Sequence, residues 1–282
     1  MGNIKYLTVF DDEYNVILNR TRMSKRKLAY LPAYYRIGEH SHLDGISATG
    51  RDFINFLKSD SVIEDFGISS SVFQYVYEQI SLRGYKSLFI VLPHTKWYDY
   101  SKSAILARKN MYRNAVNNNE KDLMSVYVFN SKGLGIAPIL LADKLATMYA
   151  ECAMPLDLLN LYAEKYAESS STYILTRGIN VFNNTEDLKA FRITSTRVFP
   201  VELHGDDDTK IESFAKRVSA EIKKREGRFA VSYGPDCNFA GDVTGKLHYC
   251  HSLHPVVDAQ YAAPSLKILG SKSLCIHLGD YI

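Results

Sequence analysis

The amino-acid sequence predicts an α/β protein of two domains, each a sheet covered by helices. Three observations predict it. Residues 88–92 (LFIVL) and 125–129 (SVYVF) are short apolar runs, the pattern of parallel strands buried on both faces. Segments of helical apolar period follow them with short connections, and such alternation builds a parallel sheet with helices on both sides. After Ser169-Ser170-Ser171-Thr172 the rhythm changes, and extended stretches flank one long basic helix. The chain therefore divides into an N-terminal α/β domain, residues 1–170, and a smaller C-terminal α/β domain, residues 171–282. With 46% apolar and 23% charged residues, both units have the means to bury a core.

Residues 4–10 (IKYLTVF) read as a buried strand closed by the acidic turn Asp11-Asp12-Glu13. Residues 28–37 (LAYLPAYYRI) read as one extended stretch, in which Pro32 favours an edge or irregular position. GRDFINFLKS, from Gly50, has helical period with Phe53, Phe56 and Leu57 on one face. In ISSSVFQYVYEQISLRGY, Ser70 or Ser71 offers an N-cap and Gly84 an end. Phe73, Val76, Tyr77 and Ile80 form its apolar stripe. The strand at 88–92 runs into PHTKWYDYSKSAILARKN, a loop and a helix, and the turn at residues 117–119 leads to the strand at 125–129. VFNSKGLGIAPILLADKLATMYAE is a strand end, a tight turn and a helix. MPLDLLNLYAEKYAE adds another helix, with Pro155 near its start. In the second domain YILTRGINVF reads as a strand and NNTEDLKAF as polar irregular chain. TRVFPVEL and RFAVSY read as strands around ESFAKRVSAEIKKRE, and SLCIHLGDYI as the closing strand.

Several function classes drop out. A net charge of +3, with no basic cluster interleaved with aromatics, excludes a nucleic-acid partner. No apolar run approaches the ~18 residues of a membrane span. The N-terminus lacks the layout of a signal peptide, and Tyr6 replaces the hydroxyl residue of a myristoylation motif. Cys152, Cys237, Cys250 and Cys275 form no CxxC pair, so reduced thiols and a cytoplasmic location are expected. Gly133 and Gly135 suggest a nucleotide loop, but Pro138 occupies the third glycine position and no Gly-Lys-Ser/Thr follows. His248, His251 and His254 recur around Cys250 without the spacing of a metal site, and read as polar loop histidines. KRVSAEIKKREGR reads as the solvated face of a helix. No cofactor is expected.

Together these segments resemble the DegV family of bacterial lipid-binding proteins over nearly the whole chain. FDDEYN resembles the family's first-strand turn, with Asp11-Asp12 for its Asp-Ser pair. LPAYYRIGEHSHLDG resembles its proline-bearing second strand and the hairpin ending in an aspartate, here Asp44. VFNSKGLGIAPILLADKLA resembles its strand, small-residue turn and long helix. FPVEL and the basic pair Lys216-Arg217 resemble the later strand and basic pair, and CIHLG the closing His-x-Gly, His277 and Gly279. FGISSS stands for the family's Thr-Ser-Gln-Pro-Ser motif, and PHTKWYD for its serine-rich loop, with His94 and Thr95 where two serines belong. VFNNTED replaces the family's Gly-Gly-Arg-Ile turn.

The resemblance implies two α/β domains with a fatty acid in the cleft between them, held and not transformed. It also implies a separate fatty-acid kinase subunit as partner. Carried over residue by residue, the ligand site comprises Ser69, Ser70, His94, Thr95, Trp97, His277 and Gly279. Two alternatives stand beside it: a diverged binder of a more polar small molecule, and a small-molecule enzyme using His94 or His277 as acid–base catalyst.

Overall fold

The computed structural model describes residues 4–8, 28–31, 34–43, 47, 50–59, 63–97, 100–119, 123–178, 180, 182–225, 229–253, 255, 257–261, 266 and 269–279. Asp11, Asp12, Asp44 and His254 lie outside the described residues.

Four strands form a wholly parallel sheet in the order β2-β1-β6-β7: β1 (Ile4–Thr8), β2 (Leu28–Tyr30), β6 (Ser87–Leu92) and β7 (Ser125–Asn130). β6 is buried throughout, and its side chains alternate between two helical layers. Leu88, Ile90 and Leu92 pack with Phe73 and Tyr77 of α2 (Ser70–Leu82) and Ala104 of α3 (Tyr100–Asn117). Phe89 and Val91 pack with Leu141 and Leu145 of α4 (Ala137–Cys152) and Leu159 and Tyr166 of α5 (Leu156–Ser169). The expected strand–helix alternation and doubly covered parallel sheet are thus present.

The stretch at 28–37 is not one strand. β2 joins the parallel sheet, while β3 (Tyr34–Ile37) belongs to a separate antiparallel sheet, β4-β3-β5, with β4 (His40–Leu43) and β5 (Ile63–Gly67). The short helix α1 (Gly50–Lys58) lies between them in sequence, and its Phe53 packs edge-on against Tyr35 of β3 at 5.1 Å.

The second sheet runs β10-β9-β8-β13-β11-β12: β8 (Ser171–Thr176), β9 (Lys189–Ile193), β10 (Val198–Val201), β11 (Ala230–Tyr233), β12 (Val257–Gln260) and β13 (Ser273–Leu278). Its neighbours are antiparallel except β11 and β12. One face, with Tyr173, Leu175, Val231, Leu274 and Ile276, packs on α6 (Asp207–Lys224) and α7 (Ala240–His251). α6 starts earlier than the basic run suggested, because Asp206 accepts the Thr209 N–H at 2.9 Å and caps it. Lys216 and Arg217 lie on its exposed face.

His248 and His251 are not in a loop. They end α7, whose chain continues to a left-handed Ser252. Among the described residues no helix is long and apolar enough to cross a membrane, and no group of three His, Cys, Asp or Glu side chains could hold a metal ion.

Candidate functional site

β13 is central in its sheet, paired with β8 and β11, and its alternation decides what faces the N-terminal part. Leu274, Ile276 and Leu278 go to the α6–α7 side, so Ser273, Cys275 and His277 take the other face. On that face, Ile174 of β8, Ile193 of β9 and Cys275 belong to one buried apolar cluster with Leu88, Ile90 and Leu92 of the parallel sheet. Leu134, after β7, belongs to it too, so the cluster is shared by both sheets. The inner face is otherwise rich in small polar groups. Thr172, Thr176, Ser232, Ser273 and His277 are all buried.

His277 is 1% exposed and pairs across the sheet with Thr172. Thr172 Oγ1 lies 3.0 Å from its Nδ1, and the Tyr166 hydroxyl of α5 lies 3.4 Å from its Nε2. Burial, assisted by the charge of Arg225, pushes its pKa down to about 3, so the ring is neutral at physiological pH. Two glycines make this arrangement possible. A Cβ on Gly133 would lie 3.2 Å from His277 Cε1 and would collide with the Ala137 Cβ. A Cβ on Gly279 would lie 2.7 Å from the Tyr166 hydroxyl, so Gly279 makes room for the phenol that meets His277.

The other cluster grows from the carboxyl ends of β6 and β7, adjacent strands whose last residues, Leu92 and Asn130, pair in register. His94, 7% exposed, donates its backbone N–H to Gly133 O at 3.0 Å, and its Nδ1 accepts the Lys96 N–H at 3.1 Å. With Nδ1 an acceptor, the proton of the neutral ring belongs on Nε2. Burial lowers the His94 pKa first, and the charges of Lys96 and Lys132 add to that. A hydrogen bond with the Ser195 backbone, in the β9–β10 turn, opposes them. The His94 ring therefore lies near the β9–β10 turn of the second sheet. Thr95 is exposed, and its Oγ1 accepts from Asn130 Nδ2 at 3.2 Å. Trp97 is half-buried, with its ring 4.7 Å from His94, edge-on, and 5.3 Å from Phe182, which lies 5.6 Å from Phe191. These rings span the two halves of the chain.

His94 and His277 thus meet at one residue, since the first bonds the Gly133 carbonyl and the second lies where a Cβ on Gly133 would point. Ser69 and Ser70 have local roles. Ser69 is exposed, caps α2 by accepting the Val72 N–H at 3.3 Å, and lies 2.8 Å from the Ser71 hydroxyl. It takes the capping position that the sequence had suggested for Ser70 or Ser71, and Ser70 is the first helical residue. Thr172, Tyr166, Asn130, Lys132 and Phe182 are the participants that sequence reasoning missed. Asn130, at the strand end before Gly133, carried the best signal. Nothing around Tyr166 or Thr172 distinguished them from ordinary helix and strand residues.

By sequence, the chain matches no protein-family model and no curated protein. Solved structures do match it over their whole length. A DegV fatty-acid-binding protein from Bacillus subtilis is 14% identical with a TM-score of 0.76, covering 98% of this chain and 99% of that one. A stearic-acid-binding protein from Eubacterium ventriosum is 12% identical, TM-score 0.77, covering 100% and 99%. A Thermotoga maritima protein described as having a fatty-acid-binding function is 17% identical, TM-score 0.73, covering 99% of each. The chain has the two-part α/β fold of these DegV proteins.

Proposed function

We propose that the chain binds a fatty acid or related single-chain amphiphile between the carboxyl ends of β6 and β7 and the inner face of the six-stranded sheet, and does not transform it. The observation that carries this reading is the apolar cluster shared by the two sheets, which runs from Leu92 and Leu134 to Ile174, Ile193 and Cys275. Hydrogen-bonding side chains adjoin it: Thr95 and Asn130 after the parallel strands, Thr172 and His277 on the other sheet. An acyl chain gains about 0.8 kcal/mol for each CH₂ it buries. Its head group needs donors, because an unpaired buried ion is costly. The fold shared with proteins described as fatty-acid-binding supports the same class of ligand.

Topology supports this location. In the order β2-β1-β6-β7 the chain crosses back between β1 and β6, and open α/β sheets bind ligands beyond the carboxyl ends at such a switch point. The loop of residues 93–97 lies there, so Thr95 and Trp97 form one wall of the cleft in this reading. Both histidine rings are engaged inside the protein, His94 by Lys96 N–H and His277 by Thr172, which supports a carrier over an acid–base enzyme. A separate ATP-dependent fatty-acid kinase subunit is then the partner that would act on the presented carboxylate.

The hydroxyl-rich inner face, with Thr172, Thr176, Ser232 and Ser273 buried on it, favours a second reading, a more polar small molecule in the same place. Denaturing the purified protein and analysing the released compounds by mass spectrometry separates the two. An acyl chain supports the carrier reading. A polar metabolite, with no binding of added fatty acid, would replace it.

A further inference from the structure

We propose that the head-group end of this site selects a phosphate monoester over a carboxylate, so that the preferred ligand is a single-chain lipid phosphate; this rests on the amphiphile-binding reading above. The loops after β6 and β7 are interlocked by hydrogen bonds. His94 N–H donates to Gly133 O at 3.0 Å and Asn130 Nδ2 to Thr95 Oγ1 at 3.2 Å. Lys96 N–H donates to His94 Nδ1 at 3.1 Å and Lys132 N–H to Asn130 Oδ1 at 2.7 Å. The interlock brings one lysine from each loop close enough to His94 for both charges to act on its ring.

Neither lysine is placed incidentally. Lys132 adopts the left-handed backbone at φ 53°, a conformation uncommon for a residue with a side chain, and the Asn130 amide oxygen holds it there. Lys96 extends its ammonium over the Trp97 ring, 5.5 Å from the centroid, at the edge of the shared apolar cluster. Thr95 Oγ1 accepts from Asn130, which leaves its O–H proton for a ligand. Among the described residues Lys132 also meets an acid, Glu168, 3.8 Å from its Nζ and largely exposed.

A carboxylate offers one charge to two ammonium groups. A phosphate monoester carries about −1.5 to −2 at pH 7, with three acceptor oxygens, and lysine recognises phosphate as a point charge. Two lysines and a hydroxyl therefore match a dianionic head group better than a monoanionic one.

The test is calorimetric titration of the intact protein with dodecyl phosphate, dodecanoate and inorganic phosphate, together with the double substitution Lys96→Gln and Lys132→Gln. At pH 8 dodecyl phosphate should bind about tenfold or more tighter than dodecanoate. The ratio should shrink below about pH 6, where the second phosphate proton returns. In the double variant the ratio should fall towards one while the melting temperature holds, because surface charges contribute little to folding. Equal affinity for the two amphiphiles, or a preference that survives the double substitution, overturns the phosphate inference and leaves lipid binding standing. Inorganic phosphate binding as tightly as dodecyl phosphate also overturns it, since the chain would then contribute nothing. Failure of both amphiphiles to bind removes the carrier reading and this inference with it.

Discussion

Replacing His277 by alanine tests whether this histidine pins the two halves of the fold together or stands open to a ligand. The side chain is 1% exposed, bonded to Thr172 at 3.0 Å and close to Tyr166, with Gly133 packed against its ring. Each hydrogen bond is worth about 1 kcal/mol net, and the longer Tyr166 contact less than that. Truncating a large buried side chain adds roughly 2–4 kcal/mol for lost packing and the cavity left behind. The sum is about 3–5 kcal/mol. At roughly 2–4 °C per kcal/mol, the melting temperature should fall by about 6–20 °C. Calorimetry on the wild type, His277→Ala and His277→Phe provides the measurement. Phenylalanine keeps the ring volume and loses the hydrogen bonds, so it should fall between the other two. An unchanged melting temperature in His277→Ala, together with a tenfold or greater loss of fatty-acid affinity, would show an open head-group anchor and refute the pinning argument.

Three further outcomes rest on the same geometry. The His277 pKa is about 3 in the folded protein, below the unfolded value of 6.5, so the unfolded state binds the extra proton between those values. Its contribution to stability is therefore complete above about pH 6.5 and is lost as pH falls towards 3, by at most about 1.4 kcal/mol per pH unit; urea melts across pH 4–7 should show a shallower slope in His277→Phe. Trp97 is the only tryptophan in the chain, and its ring contacts Phe182 and His94, so its emission should change on titration with dodecanoate; a flat response while calorimetry records binding would place the ligand away from residues 93–97. Gly279→Ala should cost about 1–3 kcal/mol, because the new methyl would meet the Tyr166 hydroxyl at 2.7 Å, and thermal melts will measure it.

Much of the fold was legible because its central strands are short and apolar and its helices carry a clear apolar period. LFIVL reads as a strand buried on both sides, and β6 is one, whereas the helix starts were less exact: Ser69 caps α2 in place of Ser70 or Ser71, and Asp206 starts α6 ahead of the basic run. The strands missed were those whose sequence signal is weak. β5 (IEDFG) is acidic and lies at the edge of a small sheet, and β9 (KAFRI) is short and follows a polar stretch. β5 is fixed by β3, distant in sequence, and β9 by β8 on one side and the hairpin strand β10 on the other, rather than by its own pattern. α7 was hidden by the glycines and histidines that interrupt its apolar period, although Val243 and Leu247 are fully buried on one side of it. The candidate site divides in the same way. His94, Thr95 and Trp97 were pointed to by the resemblance to DegV proteins and His277 by its place at the end of an apolar strand, whereas Thr172 and Tyr166 become visible only when β8, β13 and α5 come together.

The two histidines have different consequences for the chemistry. His277 sits where Gly133, Thr172 and Tyr166 close around it, and a neutral ring in that position supplies no charge to an anion. His94 is also drawn inward, with its Nδ1 accepting a backbone N–H and its ring beside the Ser195 backbone. In the proposed reading, positive charge at this end comes from Lys96 and Lys132 of the same two loops, whose charges act on His94, and from Arg225, whose charge acts on His277, rather than from imidazolium. Anion affinity should accordingly be insensitive to histidine titration between about pH 6 and 8, and should respond to salt as contacts with partly exposed lysines do. A histidine-like inflection near about pH 6.5 in dodecanoate affinity would contradict this, because dodecanoate itself has no proton to exchange in that range.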